Sequence, residues 1–288
     1  MLCESSLSKY TMKKILIAID AEKPDHQGLA LGIYLARLTG SGLTGIFLEN
    51  LPFEYAPDPK FDYGSIYAEN IGPGDGPETS FKEKACDASI HEFKSASHAQ
   101  GITCRIHKDQ DVPRDELIAE SRYADLIIAA PSLFASSELE IPAGLVKNLM
   151  ADSECPVMIA PRRMNSISKI LFACDGSASA LFAIKQFTYL FPELSDADLI
   201  VIEANEDAAF SEEQKEKVYE YLKEHYSRIS FKDLHGKPKD ELFDYSLREA
   251  DACLVMGAYG RNRLSTLIKE STADLVIKLN NLPVFVTH

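Results

Sequence analysis

Lys169-Ile170-Leu171-Phe172-Ala173-Cys174-Asp175 restates Lys14-Ile15-Leu16-Ile17-Ala18-Ile19-Asp20. Each is an unbroken apolar run opened by a lysine and closed by an acid. A run of this kind suits a strand buried on both faces, at the centre of a parallel sheet. The correspondence continues outward from these two runs. Leu199 to Glu203 restates Leu43 to Glu49, and Pro238-Lys239-Asp240-Glu241-Leu242 restates Pro113-Arg114-Asp115-Glu116-Leu117. Ala250-Asp251 restates Ala124-Asp125, and Pro283-Val284-Phe285-Val286 restates Pro156-Val157-Met158-Ile159. Matched landmarks in one order mark an internal duplication. Each copy alternates strand and helix, which predicts an α/β fold of two tandem doubly wound domains with helices on both faces of each parallel sheet.

The first half reads in order as strand, helix and strand, the helix following Pro24 and stopping at Gly40-Ser41-Gly42. Residues 51–79 are rich in Pro, Gly, Asp and Tyr and read as a long irregular insertion or lid with room for a short helical turn. A helix over 81–100 ends at Gly101, and a third strand covers 102–106. A helix opens at Pro113, where proline is tolerated. A fourth strand covers 125–130, a helix 141–151 and a fifth strand 156–160. Residues 161–166 form the linker. The charged run Glu212 to Lys217 is expected on the outer face of a helix containing Val218, Tyr221 and Leu222.

Ligands of doubly wound sheets sit beyond the carboxyl ends of the strands, where strand order reverses. In the second half the run Asp251 to Met256 is followed by Gly257-Ala258-Tyr259-Gly260-Arg261, and farther on by Ser271-Thr272 ahead of an apolar helical pattern. Glycines let main-chain amides approach a ligand, and a helix start favours an anion. Gly257, Gly260, Arg261, Ser271 and Thr272 are therefore candidates to cradle phosphates. The competing reading is a strand–turn–helix connection with ordinary turn glycines. Asp175 ends the first strand of that half, so if the strands are neighbours it faces the same crevice. Asp175 and Glu203 invite a second pair of readings, a divalent-ion site beside phosphates or a solvated or hydrogen-bonded pair.

Composition narrows the function classes. The chain has 288 residues, 45% of them hydrophobic, and a net charge of −14. That charge argues against nucleic acid and against an anionic membrane surface as partners. No apolar run is long enough to span a bilayer, and residues 1–11 do not resemble a signal peptide. Six scattered cysteines without a CxxC pair suit a reducing, cytoplasmic setting, with Cys174 and Cys253 expected to be buried. The phosphate loop GxxxxGK[ST], the dinucleotide fingerprint, the GxSxG elbow and HExxH are all missing, and the histidines do not cluster as metal ligands.

From residue 13 to the end, the chain resembles the universal stress protein family in its tandem, two-domain form. The resemblance rests on Gly257-Ala258-Tyr259-Gly260, nine further residues, then position 270 and Ser271, with Asp175 at the end of a first strand. It implies two domains, 13–161 and 167–288, each with a five-stranded parallel sheet in the order 3-2-1-4-5. It also implies pairing through last strands, within one chain or in a homodimer. Adenine nucleotide, ATP with Mg²⁺, is the implied ligand. Asp175 would touch the adenosine end and Ala204 would line the adenine pocket. Met256 and Gly257 would flank ribose and phosphates, while Gly260, Ser271 and Thr272 would hold the phosphates with help from Arg261.

Two departures qualify that picture. The motif's third glycine is Glu270, whose charge has the wrong sign for a triphosphate. The first half carries Ala130-Pro131-Ser132-Leu133 where the glycine motif belongs, and Pro131 has no amide proton to donate. The expectation is a nucleotide-binding sensor or regulator using the second half. No general base is evident, so at most slow hydrolysis follows. An interaction scaffold without nucleotide, with a protein partner, is the alternative.

Overall fold

The computed structural model describes residues 12–22, 24–48, 77–108, 113–130, 149–150, 152–163, 166–205, 211–257 and 281–287. In the first half the strands are β1 (Lys14–Asp20), β2 (Gly42–Leu48), β3 (Cys104–Lys108), β4 (Leu126–Ala129) and β5 (Val157–Ile159). In the second they are β6 (Lys169–Ala173), β7 (Asp198–Asn205), β8 (Arg228–His235), β9 (Ala252–Gly257) and β10 (Val284–Thr287). Six helices are described: α1 (His26–Thr39), α2 (Pro77–Ala99), α3 (Pro113–Ser121), α4 (Ala178–Leu190), α5 (Glu212–Leu222) and α6 (Pro238–Leu247).

All ten strands form one sheet, in the order β3-β2-β1-β4-β5-β10-β9-β6-β7-β8. Each half therefore has the expected order, third-second-first-fourth-fifth. Every pairing is parallel except β5 with β10, where the two halves meet antiparallel with Met158 opposite Phe285. The apolar runs that open each half are central strands, with Ile15, Leu16, Ile170, Leu171 and Phe172 at 0% exposure. That is the burial on both faces which their composition demands.

Local chemistry sets the helix ends. Asp25 caps α1 by accepting from the Gln27 amide at 2.6 Å, and Gly40 closes it at φ 68°, a left-handed conformation that glycine adopts without a Cβ clash. Ser211 and Gln214 form a reciprocal capping box on α5. Pro113 and Pro238 open α3 and α6.

Three details differ from the sequence expectations. Helix α2 begins at Pro77, so the end of the 51–79 segment is helical; residues 51–76 lie outside the described residues. Strand β3 runs two residues later than the 102–106 reading, because Ile102 sits in the turn and its amide bonds the Ser97 carbonyl. Of the helix expected over 141–151, only 149–150 are described, and they are helical.

Candidate functional site

The order third-second-first-fourth-fifth places its reversal between β6 and β9 in the second half. These strands are parallel neighbours, with Phe172 opposite Val255. Continuing that register brings Ala173 and Cys174 level with Met256 and Gly257. The carboxyl ends of β6 and β9 thus open into one crevice, the place where doubly wound sheets bind ligands.

Asp175 lies at that edge. Its Oδ1 accepts the Ser177 amide at 2.9 Å, which turns the chain toward α4 through Gly176 at φ 74°. Ser177 then caps α4, its hydroxyl accepting from the Ala180 amide at 3.2 Å. Gly257 is pressed against the same helix start. A Cβ built there would lie 2.4 Å from Ser179 Oγ and 2.7 Å from the Ser179 carbonyl carbon. The structure therefore brings together Asp175, Ser177, Ser179 and Gly257 at the start of α4. Met256 is buried at the end of β9. Ala204 is near the end of β7, opposite Leu234 in β8, and so flanks the crevice on its other side. Gly260, Arg261, Glu270, Ser271 and Thr272 lie outside the described residues.

Sequence reasoning passed over Ser177 and Ser179. The signal was present: an acid and a glycine followed by Ser-x-Ser is a helix-start pattern. Asp20 in the first half repeats the Asp175 arrangement, its Oδ1 accepting the Glu22 amide at 2.9 Å. The turn acid is thus common to both halves. In alignment from Ala124-Asp125 and Ala250-Asp251, however, Gly257 corresponds to Pro131, which is not among the described residues.

Glu203, 4% exposed at the end of β7, reaches Lys215 of α5 at 3.7 Å. Lys215 also holds Asp233 at 3.2 Å, and that hydrogen bond raises the lysine's proton affinity. Lys215 is therefore an inward strut between two strands, not the fully solvated member of a charged run that its surroundings suggested. Among the described residues no group of His, Cys, Asp and Glu side chains is placed to hold a metal. Burial pushes the Cys174 thiol, next to Asp175, up to about 12. It stays protonated and inert in neutral solution. No described helix is long and apolar enough to cross a membrane.

Comparison with known proteins points one way. No family profile matches the chain. Universal stress protein Slr1230 of Synechocystis sp. is 31% identical over 134 residues, a match spanning 45% of this chain and 45% of that protein, about half of each. A universal stress protein from Archaeoglobus fulgidus shares the fold across 96% of this chain and 97% of its own, with a TM-score of 0.68 at 18% identity. A functionally unknown protein from Pseudomonas aeruginosa PAO1 does so across 97% and 93%, with a TM-score of 0.59 at 16% identity.

Proposed function

We propose, for a chain that resembles the universal stress proteins in fold along its length and in sequence over about half of it, a regulatory role based on adenine-nucleotide binding in the second half. In this reading residues 167–288 form the binding domain, and residues 13–161 form a companion whose crevice has lost the glycine motif. The observation that carries it is the meeting of Asp175, Gly257 and the start of α4 at the strand-order reversal. A carboxylate there suits the hydroxyl or amine donors of an adenosine. A side-chain-free main chain beside a helix start suits the phosphates. Gly260, Arg261, Ser271 and Thr272 complete the phosphate side on sequence grounds, with Met256 and Ala204 lining the nucleoside side. Magnesium would accompany a triphosphate through the phosphate oxygens.

Calorimetry of the full chain with ATP and Mg²⁺ tests this. Micromolar to low-millimolar binding is expected. Asp175→Asn keeps a side-chain oxygen to accept the Ser177 amide but removes the charge. It should weaken binding by roughly tenfold, the scale of one charge-assisted hydrogen bond. Glu270→Gly should strengthen it by removing a like charge. Absence of heat at millimolar ATP, in both wild type and Glu270→Gly, would leave the interaction-scaffold reading in its place.

A further inference from the structure

A thiol and an imidazole meet at the outer edge of the first half, across the turn that joins α2 to β3. Cys104 Sγ lies 3.7 Å from His98 Nε2. Strand β3 ends the sheet on that side, six strands from β9, so roughly 29 Å of sheet separates the pair from the candidate nucleotide crevice.

The turn that carries the pair is braced from both sides. The Ser97 carbonyl accepts the Gln100 and Ile102 amides at 3.1 and 3.0 Å, and the His98 carbonyl accepts the Gly101 amide at 2.9 Å. The Thr103 carbonyl accepts the Leu43 amide at 2.9 Å, which ties the start of β3 to β2. Arg37 of α1 donates to Gln100 Oε1 at 3.1 Å. The main chain thus sets the separation of the two side chains. The place is also open: His98, Gln100, Gly101 and Thr103 are exposed and Cys104 is half-buried, whereas the other described cysteines are buried.

The duplication supplies a control, because the second half has the same turn without the pair. Ile229 of β8 pairs with Leu199 as Cys104 pairs with Leu43. Lys223 precedes Ile229 by the six residues that separate His98 from Cys104. An apolar residue and a solvated lysine are what an edge strand and a helix end ordinarily carry, so the fold does not itself require a thiol beside an imidazole here. The spacing has a chemical meaning instead. A thiolate sulfur and an imidazole nitrogen bound to one tetrahedral zinc ion stand about 3.6 Å apart, given bonds of about 2.3 and 2.0 Å. The observed 3.7 Å matches one edge of that tetrahedron.

Two donors are half of a zinc site. Among the described residues no three His, Cys, Asp or Glu side chains of one chain converge. A second copy supplies the other half, since a patch near a twofold axis faces itself and every donor in it occurs twice. We propose that Cys104 and His98 of two copies of this chain bind one Zn²⁺ ion between them, joining the molecules at the β3 edge. Each thiol releases its proton to solvent on binding. Two thiolates then cancel the charge of the ion, and two neutral imidazoles complete the tetrahedron. Two chains of net charge −14 repel one another, so the pairing depends on the metal.

The full chain, reduced and freed of metal with a chelator, is titrated with Zn²⁺ while its mass is followed by sedimentation. Uptake should saturate at about 0.5 equivalent per chain, with a doubling of mass that chelator reverses. Co²⁺ in place of Zn²⁺ should show thiolate-to-metal charge-transfer absorption, and Zn²⁺ should shield Cys104 from iodoacetamide. Both readouts use the unaltered chain. Cys104→Ser and His98→Gln should each abolish the doubling and weaken zinc by more than about a hundredfold, the upper range for mere outer-shell partners. Both substitutions fall at the surface, and circular dichroism verifies folding. Cys3→Ser, at a cysteine outside the described residues, should match the wild type. The proposal is overturned by uptake of one ion per chain without a change in mass, or by wild-type affinity in both site variants. Loss of binding in Cys3→Ser also overturns it, as does absence of uptake at about 100 μM Zn²⁺, weaker than a built metal site.

Discussion

Gly257 shows how one residue answers to two demands. Read as sequence, it belongs to a motif that lets main chain approach a phosphate. In the fold it is also the residue against which α4 is seated, since any Cβ would fall 2.7 Å from the Ser179 carbonyl carbon and 2.8 Å from its oxygen. Backbone atoms cannot swing aside as a side-chain tip can. Gly257→Ala should therefore destabilise the protein by about 1–3 kcal/mol, the range for overpacking, measured by urea unfolding. A neutral Gly257→Ala would mean that the helix start is free to move. The cysteines supply a second test at this scale. Burial pushes Cys155 and Cys174 up to about 12 from 9.0, and Cys253 in the same direction. In the unfolded chain these thiols ionise near their ordinary value, while the native protein keeps its protons. Between those limits the native state holds more protons than the unfolded state. Stability is then fully present below about pH 9 and falls as pH rises toward about 12. Urea midpoints at about pH 8 and pH 10.5 should drop at the higher value, and a midpoint that rose would contradict the burial. Among the described cysteines, the half-buried Cys104 should be alkylated first by iodoacetamide in the native state.

At the scale of elements, legibility in the sequence followed burial. Strands β1, β6 and β9 have unbroken apolar interiors because both faces are covered, and such runs stand out in a sequence. Strand β8 is an edge, alternating between exposed and half-buried residues along Arg228–His235, and it offers no apolar run to find. The mixed composition around Pro77 conceals the start of α2 for a similar reason: Glu, Thr, Ser and Lys say little about helix against loop. The candidate site was half legible. Asp175 and Gly257 were visible as a strand-end acid and a motif glycine. Ser177 was open to reading as a helix cap, but the part Ser179 plays arises only when β9 and α4 are brought together. The seam between the halves was the most indirect inference, and an aromatic cluster within the second half anchors β10, the strand that forms its side of the seam. Phe285 of β10 meets Phe187 at 5.3 Å and Phe191 at 6.2 Å, both rings edge-on. Phe187 in turn contacts Phe172 of β6 at 5.9 Å. Phe285→Ala should cost about 3–5 kcal/mol, read as a fall in the urea midpoint. A cost below about 1 kcal/mol would show that the cluster collapses around the gap.

At the scale of the molecule, the consequence of a shared sheet is shared unfolding. The apolar layer on one face joins Leu35 and Met158 of the first half to Phe187 and Phe285 of the second. The layer on the other face joins Leu16 and Val157 to Leu254 and Val286. Neither face is interrupted where β5 meets β10. The connection is also tied across, for the Ile167 amide donates to the Tyr34 hydroxyl of α1 at 2.9 Å. Separating the halves would expose the edges of β5 and β10 with their apolar side chains, a state that water disfavours strongly. The protein should then unfold in one transition despite its length. Its own thiols can report this, because Cys86 and Cys155 are buried in the first half and Cys174 and Cys253 in the second. Each should become reactive to a thiol reagent at the same urea concentration, since coincident transitions are what a single cooperative unit requires. If the first-half pair were labelled at a clearly lower concentration than the second-half pair, the seam would be a contact between independent domains. The continuous core would then have to be abandoned as the source of the fold's stability.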